Sequence, residues 1–522
     1  MRHERDGLWR QPEEFTGTSS PAVSEDFSLD PLLPREDGPV AVADITKLPH
    51  DGHHLEAADR PRILPVSLPI ATPPTPGLDG VPFSRQKCVK DQRPRVRSST
   101  TISMDKILVH GGHTLNGSVR ISGSKNSALP ILAATLLTSE PCTVSNVPDL
   151  SDIHYMLQIL SHLGASVERA SGVVRVQAEK IKTEAPYEIV RKMRASVCVL
   201  GPLLGREKEA TVSLPGGCVI GDRPIDLHLK GFESLGAVNR IEHGNVKVFA
   251  SELRGASINL RGKQGPTVLG TDNVMMAAVL AEGTTVIESA AAEPEVVDLA
   301  NFLNAMGAKI EGAGTRRIVI EGVKELHGAE HEVIPDRIEA GTYLVAGAML
   351  GGDVTLKRAD PHHLGFVIEV VRKAGFTVDT THDSIRVRGN GAPKPLQLTT
   401  EPYPGFPTDM QAQMCALLAQ TSGISVISET IFPQRFMHVS ELKRMGADIS
   451  LNGSTVVITG VDKLSGAPVM ASDLRASAAL VLAGMRAEGV TEVNRVYHID
   501  RGYESIDDKL NSLGARIERM KA

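Results

Sequence analysis

The chain has 522 residues, 41% of them hydrophobic and 23% charged, with a formal net charge of -6. That length exceeds one average domain, and the acidic balance excludes a nucleic-acid scaffold, which needs a basic face for phosphates. Aromatic residues make up only 3% while glycines number 48, which excludes stacking on aromatic platforms as the main mode of recognition and predicts a small-residue, aliphatic core.

Residues 1–103 hold 14 of the 32 prolines, and 67–80 (SLPIATPPTPGLDG) shows no apolar period of 3.6 or 2. This composition predicts a disordered extension, closing in a basic stretch from Arg85 to Arg97 that reads as a solvated tail. The opening MRHERDGLWR lacks the apolar run of a secretory signal, and its acids argue against a transit peptide. Met104 begins MDKILVHGG, a strand pattern, and is the expected start of the folded part and of the ancestral chain. The longest apolar stretches, 127–137 and 195–205, have eleven residues each, short of the roughly 20 of a membrane span. Five cysteines (88, 142, 198, 218 and 415) form no C-x-x-C pair, so the sequence supports neither a zinc ribbon nor a disulfide framework. It reads as a soluble protein of a reducing compartment.

From residue 104 onward one pattern recurs: an amphipathic helix closed by glycine, then an alternating strand. It appears as LSHLGASVERA, FESLGAVNRIE, LNAMGAKIEG, VRKAGFTVDT, LKRMGADISL and LNSLGARIER. The glycines (164, 236, 307, 375, 446 and 514) are 72, 71, 68, 71 and 68 residues apart. Glycine suits a helix C-terminus, which commonly closes at positive φ. Six units of about 70 residues therefore almost fill 104–522.

Each unit carries a second, more apolar helix, starting near Lys125, Arg194, Asp272, Glu339, Asp409 and Arg475. For the three acids ordinary capping suffices, and Asp409 reads either as a cap or as a general base. Lys125, Arg194 and Arg475 oppose the helix dipole, and three such violations at equivalent positions predict an anionic ligand at converging helix N-termini. Cys142, Cys198 and Cys415 lie in apolar runs and read as buried hydrophobes. Cys218, in PGGCVIGDRP (215–224) beside Arg223, reads equally as a small hydrophobe or a reactive thiol. HGGH (110–113) and His362–His363 lack partners at metal spacing, and no P-loop or dinucleotide fingerprint follows a strand.

The blocks ISGSKNSALPIL, APYEIVRKMRAS, LPGGCVIGDRPIDLH, PDRIEAGTYLVA, FPTDMQAQ, ETIFPQRFMH, SDLRASAALVLAG and YHIDRGYE, spread in order over 104–522, resemble the UDP-N-acetylglucosamine 1-carboxyvinyltransferases, a family of enolpyruvyl transferases. The resemblance implies an α/β fold of two domains, each an inverse α/β prism of three repeats with helices inside and sheets outside. It sets one domain at 125–333 and the other at 104–124 with 334–522. The implied reaction adds the 3-hydroxyl of UDP-N-acetylglucosamine to phosphoenolpyruvate and then eliminates phosphate. Lys125, Arg223 and Arg501 are expected at the phosphate, Arg435 and Arg475 at the carboxylate, and Arg194 at the closed cysteine loop. Asn126 and Asp409 are expected at the sugar, with Asp409 as base and Cys218 as proton donor. Arg223, Pro224, Ile225, Asp226 and Leu227 match the uridine-binding turn, and Ile431 the sugar-nucleotide pocket. No metal, organic cofactor, nucleic acid or membrane is implied, the location is cytoplasmic, and the oligomeric state stays open.

The stretch GKQGPTVLGTDN (262–273) departs from the family pattern: Lys263 is out of register, Thr267 stands for a serine, and Asp272 is extra. Ala292 replaces a common arginine, and Cys198 a common aromatic residue. The alternatives are the sister transferase that uses shikimate 3-phosphate, whose pattern lacks the loop cysteine, and a weakly catalytic sugar-nucleotide sensor.

Overall fold

The computed structural model describes residues 105–214, 220–221, 224–389 and 393–521. The predicted disorder and basic stretch of 1–103, and the expectations placed on Cys218 and Arg223, lie outside the described residues.

Six four-stranded sheets carry the alternating segments. Three are Glu330–Glu332, Cys142–Ser145, Val173–Gln177, Ser166–Ala170; Glu184–Ala185, Glu209–Ser213, Asn245–Phe249, Val238–Glu242; and Ser257–Asn259, Thr284–Glu288, Arg317–Glu321, Lys309–Glu311. The others are Leu115–Arg120, Gly352–Lys357, Ser384–Arg388, Thr377–Thr380; Gln397–Thr399, Ile424–Ser428, Thr455–Thr459, Asp448–Asn452; and Pro468–Met470, Val490–Asn494, Lys106–His110, Arg516–Met520. In all six the first strand runs parallel to its neighbour and the other pairs are antiparallel. The strand read in MDKILVHGG is present as Lys106–His110, set inside the last of these sheets. The repeat glycines behave as their spacing predicts: all six take φ between 93° and 105° between a helix and the strand that follows.

The apolar helices are Lys125–Ala134, Leu200–Glu207, Val268–Ala278, Arg337–Leu350, Gln411–Leu418 and Leu474–Arg486. They are hydrophobic on nearly every side, and every residue from Ile338 to Leu350 is buried, as an all-round apolar helix requires. Cys142, Cys198 and Cys415 are buried as read. Two of the acids read as caps are not caps. Thr267 caps Val268–Ala278 through Gly270 N, leaving Asp272 in the second turn, buried, with Oδ1 unpaired. Asp336 caps Arg337–Leu350 through Ile338 N and Glu339 N, and Glu339 turns instead to Lys509 and Ser122. Short Thr and Asp side chains just outside a helix reach its free N–H groups first, and the acids inside the turn are left to other partners or to none.

Two hydrophobic cores form. One gathers residues from Ala128 to Val333; the other combines Ile107–Ile121 with Ile338–Ile517. The chain passes between them twice, near 121–128 and 333–338, and the two crossings pair. Ser124 N donates to Ile334 O at 2.7 Å and Asp336 N to Ser122 O at 2.8 Å. Asp336 also accepts from Lys125 N at 3.3 Å, so one carboxylate serves the first turns of helices belonging to both cores. Among the described residues no helix is long and apolar enough to cross a membrane.

Candidate active site

Between the cores, helix N-termini from both sides meet. Lys125 is the first residue of Lys125–Ala134, capped by Ser124, and Arg475 the second of Leu474–Arg486, capped by Asp473. Asp409 lies in the 3-10 turn Thr408–Met410 that leads into Gln411–Leu418. Arg435 precedes helix Met437–Arg444, and Arg501 follows the turn Val496–His498.

Two carboxylates organise these cations. Asp409 accepts from Arg435 Nη1 at 2.7 Å on Oδ1 and from Arg475 Nε at 3.1 Å on Oδ2. Its side chain keeps 27% exposure, whereas that of Arg475 has 1%. Burial opposes the Asp409 charge, but the two guanidiniums outweigh it and hold the carboxyl far below its usual range. The second carboxylate, Asp152, was not singled out from the sequence. It sits in helix Ser151–His162, 3% exposed, and accepts from Lys125 Nζ at 3.3 Å and Arg501 Nε at 2.9 Å. Arg501 belongs to the other core's segment, so this pair spans the gap. Lys125 links both groups: burial lowers its pKa most, Asp152 and Asp409 raise it, and Arg475 and Arg501 lower it.

Behind Asp409 lies Glu429, fully buried and also missed. It accepts from Thr400 Oγ1 at 2.8 Å, Thr408 Oγ1 at 2.9 Å, Ile431 N at 2.8 Å and Phe432 N at 2.9 Å. This fixes the turn before Asp409 and the loop carrying Ile431 and Arg435. On the other side, Tyr503 stacks under Arg475, whose guanidinium carbon is 5.2 Å from the ring centroid. Its hydroxyl is 2.9 Å from Thr342 Oγ1, and Gln413 Nε2 donates to Thr342 Oγ1 at 3.0 Å and to the Asp409 carbonyl at 2.9 Å.

Of the expected site residues, Lys125, Asp409, Arg435, Arg475 and Arg501 are brought together. Asn126 is half-buried beside Lys125, and Arg194 is half-buried at the head of the 3-10 helix Arg194–Val199. Pro224, Ile225, Asp226 and Leu227 lead into helix Asp226–Ser234, and a methyl on Gly262 would sit 3.1 Å from Leu227 Cδ1, so this turn lies on the atypical hairpin. That hairpin, Arg261–Gly262 with Gly265–Pro266, approaches Pro402 of the other core's segment: a Cβ on Gly265 would lie 2.9 Å from Pro402 Cγ. Among the described residues no cluster of three or more His, Cys, Asp or Glu side chains is suited to a metal ion. The chemistry on hand is anion neutralisation by four cations with carboxylates placed among them.

A family model described as EPSP synthase (3-phosphoshikimate 1-carboxyvinyltransferase) matches residues 109–510. Proteins named UDP-N-acetylglucosamine 1-carboxyvinyltransferase from Akkermansia muciniphila and Methylacidiphilum infernorum are 63% and 60% identical over 420 and 417 residues, each match covering 80% of this chain and 99% of theirs. Among solved structures, the enolpyruvyl transferase NikO from Streptomyces tendae matches at 26% identity with a TM-score of 0.73, over 80% of this chain and all of that one. An EPSP synthase from Acinetobacter baumannii shares the fold at 18% identity and a TM-score of 0.62, over 80% of this chain and all of that one.

Proposed function

The chain belongs to the EPSP synthase family, within its UDP-N-acetylglucosamine 1-carboxyvinyltransferases, and we propose from that premise how its residues work. It is a transferase that moves the enolpyruvyl group of phosphoenolpyruvate to the 3-hydroxyl of UDP-N-acetylglucosamine, releasing phosphate in peptidoglycan synthesis. The observation that carries the mechanism is the single cluster in which Lys125, Arg435, Arg475 and Arg501 meet around Asp409 and Asp152.

Both substrates are polyanions, so their approach depends on cations already fixed in place. Lys125 and Arg501, joined by Asp152, with Arg223, take the donor's phosphate; Arg435 and Arg475 take its carboxylate. Asn126 and Asp409 hold the sugar, with Arg223, Pro224, Ile225, Asp226, Leu227 and Ile431 around the nucleotide and Arg194 toward the cysteine loop. Asp409 accepts the 3-hydroxyl proton while the oxygen bonds to C2 and the Cys218 thiol protonates C3. Loss of a C3 proton then expels phosphate and leaves the enol ether. Because Asp409 is paired with two arginines, it becomes an effective base only when the donor's carboxylate draws those guanidiniums away.

The same reading makes each core an inverse α/β prism of three repeats and places the domains at 125–333 and at 104–124 with 334–522. The separate cores and the paired crossings support that division. It also places the protein in the cytoplasm. The test is phosphate release from phosphoenolpyruvate with either acceptor. Release with UDP-N-acetylglucosamine alone is expected; release with shikimate 3-phosphate, or with neither, overturns the reading.

A further inference from the structure

Tyr503 lies in none of the roles above, yet it is 1% exposed in a place where a phenylalanine would fill the same space. Its hydroxyl has defined partners. Thr342 Oγ1 donates to Ile338 O at 2.8 Å, so it has no proton left for Tyr503 and must accept from it at 2.9 Å. The ring that carries this hydroxyl lies under the Arg475 guanidinium, whose central carbon is 5.2 Å from the ring centroid. The hydrogen bonds therefore run one way, from Tyr503 through Thr342 to a backbone carbonyl in the first turn of Arg337–Leu350, and they fix the ring on which the Arg475 guanidinium rests. Gln413 Nε2 closes the figure, donating to Thr342 Oγ1 at 3.0 Å, to Tyr503 Oη at 3.3 Å and to the Asp409 carbonyl at 2.9 Å.

The consequence concerns a guanidinium that is otherwise poorly held. Arg475 is buried with Nη1 unpartnered, and its Nε is the group that meets Asp409 Oδ2. A rigid planar fork at the end of a flexible stem is oriented only by the groups around it. We propose that Tyr503 is a positioning residue of the transfer reaction, setting the plane of Arg475 and through it the aim of the Asp409 carboxylate. Asp409 is thereby registered twice, its main chain by Gln413 and its side chain by Arg475, and both lead to the Tyr503–Thr342 pair. This inference rests on the assignment of Asp409 and Arg475 to the reaction given above.

The test is Tyr503→Phe, with Thr342→Val as the second variant, in phosphate-release assays that vary each substrate in turn. Both keep the packing volume close to that of the parent. Tyr503→Phe is expected to lower kcat about ten-fold while the KM for the nucleotide sugar stays within about two-fold, because most of the acceptor's binding contacts lie at Asn126 and the uridine turn, away from Tyr503, while the reacting groups lose alignment. Thr342→Val is expected to reproduce part of that loss, and the double variant to lose no more than Tyr503→Phe, since the two hydroxyls act in one chain. Wild-type kcat in Tyr503→Phe, or in Thr342→Val should Tyr503→Phe not fold, overturns the positioning role. So does a double variant whose losses multiply, or a KM for the nucleotide sugar that rises in step with the fall in kcat. An inactive wild-type enzyme overturns the underlying reading instead.

Discussion

Replacing Asp152 by Asn removes one charge, changes almost no volume, and leaves Lys125 and Arg501 facing each other across the gap between the cores. At 3.3 Å and an effective dielectric of about 20, the Asp152–Lys125 attraction is about 5 kcal/mol. Holding a buried carboxylate out of water offsets much of this in the folding balance, leaving about 2 kcal/mol of net stability from the pair. Burial already lowers the Lys125 pKa and Asp152 counteracts it, so loss of Asp152 lowers it further. The lysine then sheds its proton earlier as pH rises, and the alkaline limb of kcat/KM for phosphoenolpyruvate moves to lower pH. The assay is phosphate release across the alkaline range, with the nucleotide sugar saturating and circular dichroism confirming the fold. An alkaline limb that stays in place in a folded Asp152→Asn protein would refute the electrostatic role given to this residue.

Three further outcomes are expected. Cys218→Ala lowers turnover by about 100-fold or more with little change in acceptor KM, and full turnover in that variant removes the cysteine from the proton-donor role. Gly123→Ala sets a Cβ 1.8 Å from the Asn146 carbonyl oxygen at the first crossing, so the backbone must move; a loss of about 3 kcal/mol is expected in denaturant melts, and unchanged stability would show that the crossing is slack. Glu339, buried beside Lys509, is lifted from the ordinary 4.5 of a glutamate to about 7, because burial outweighs the lysine. A carboxyl raised in the folded state gives stability that is present below about pH 4.5 and is lost as pH rises through about 7, so Glu339→Gln flattens the melting temperature over that window. An unaltered slope assigns the dependence to other groups.

The repeat architecture was legible because it rests on local chemistry. A glycine at a helix C-terminus and a cation at a helix N-terminus are visible within a few residues, and all six glycines took the backbone angle their position demands. The same local logic misread Asp272 and Glu339, since an acid near a helix start looks like a cap whether or not a better-placed Thr267 or Asp336 has taken the N–H groups. Asp152 was invisible for another reason: its partner Arg501 is 349 positions away, and an acid in a helix's first turn carries no mark of that distance. Glu429 holds the site from beneath through a loop-to-loop contact 21 residues away inside its own unit, and Tyr503 through one 161 residues away in another, and neither distance is marked in the helix-glycine-strand pattern.

Lys106–His110 is held between Val490–Asn494 and Arg516–Met520, which orders events on the ribosome. The core built from 128–333 is contiguous and can close as soon as it emerges, but the strand at 106–110 waits for partners about 400 residues downstream. At about 5–20 residues per second that wait is roughly 20–80 s, during which Ile107 and Val109, destined for full burial, face water without a neighbour. The second core is thus the late and aggregation-exposed step of biogenesis, and chaperone dependence should map to this edge rather than to the catalytic helices.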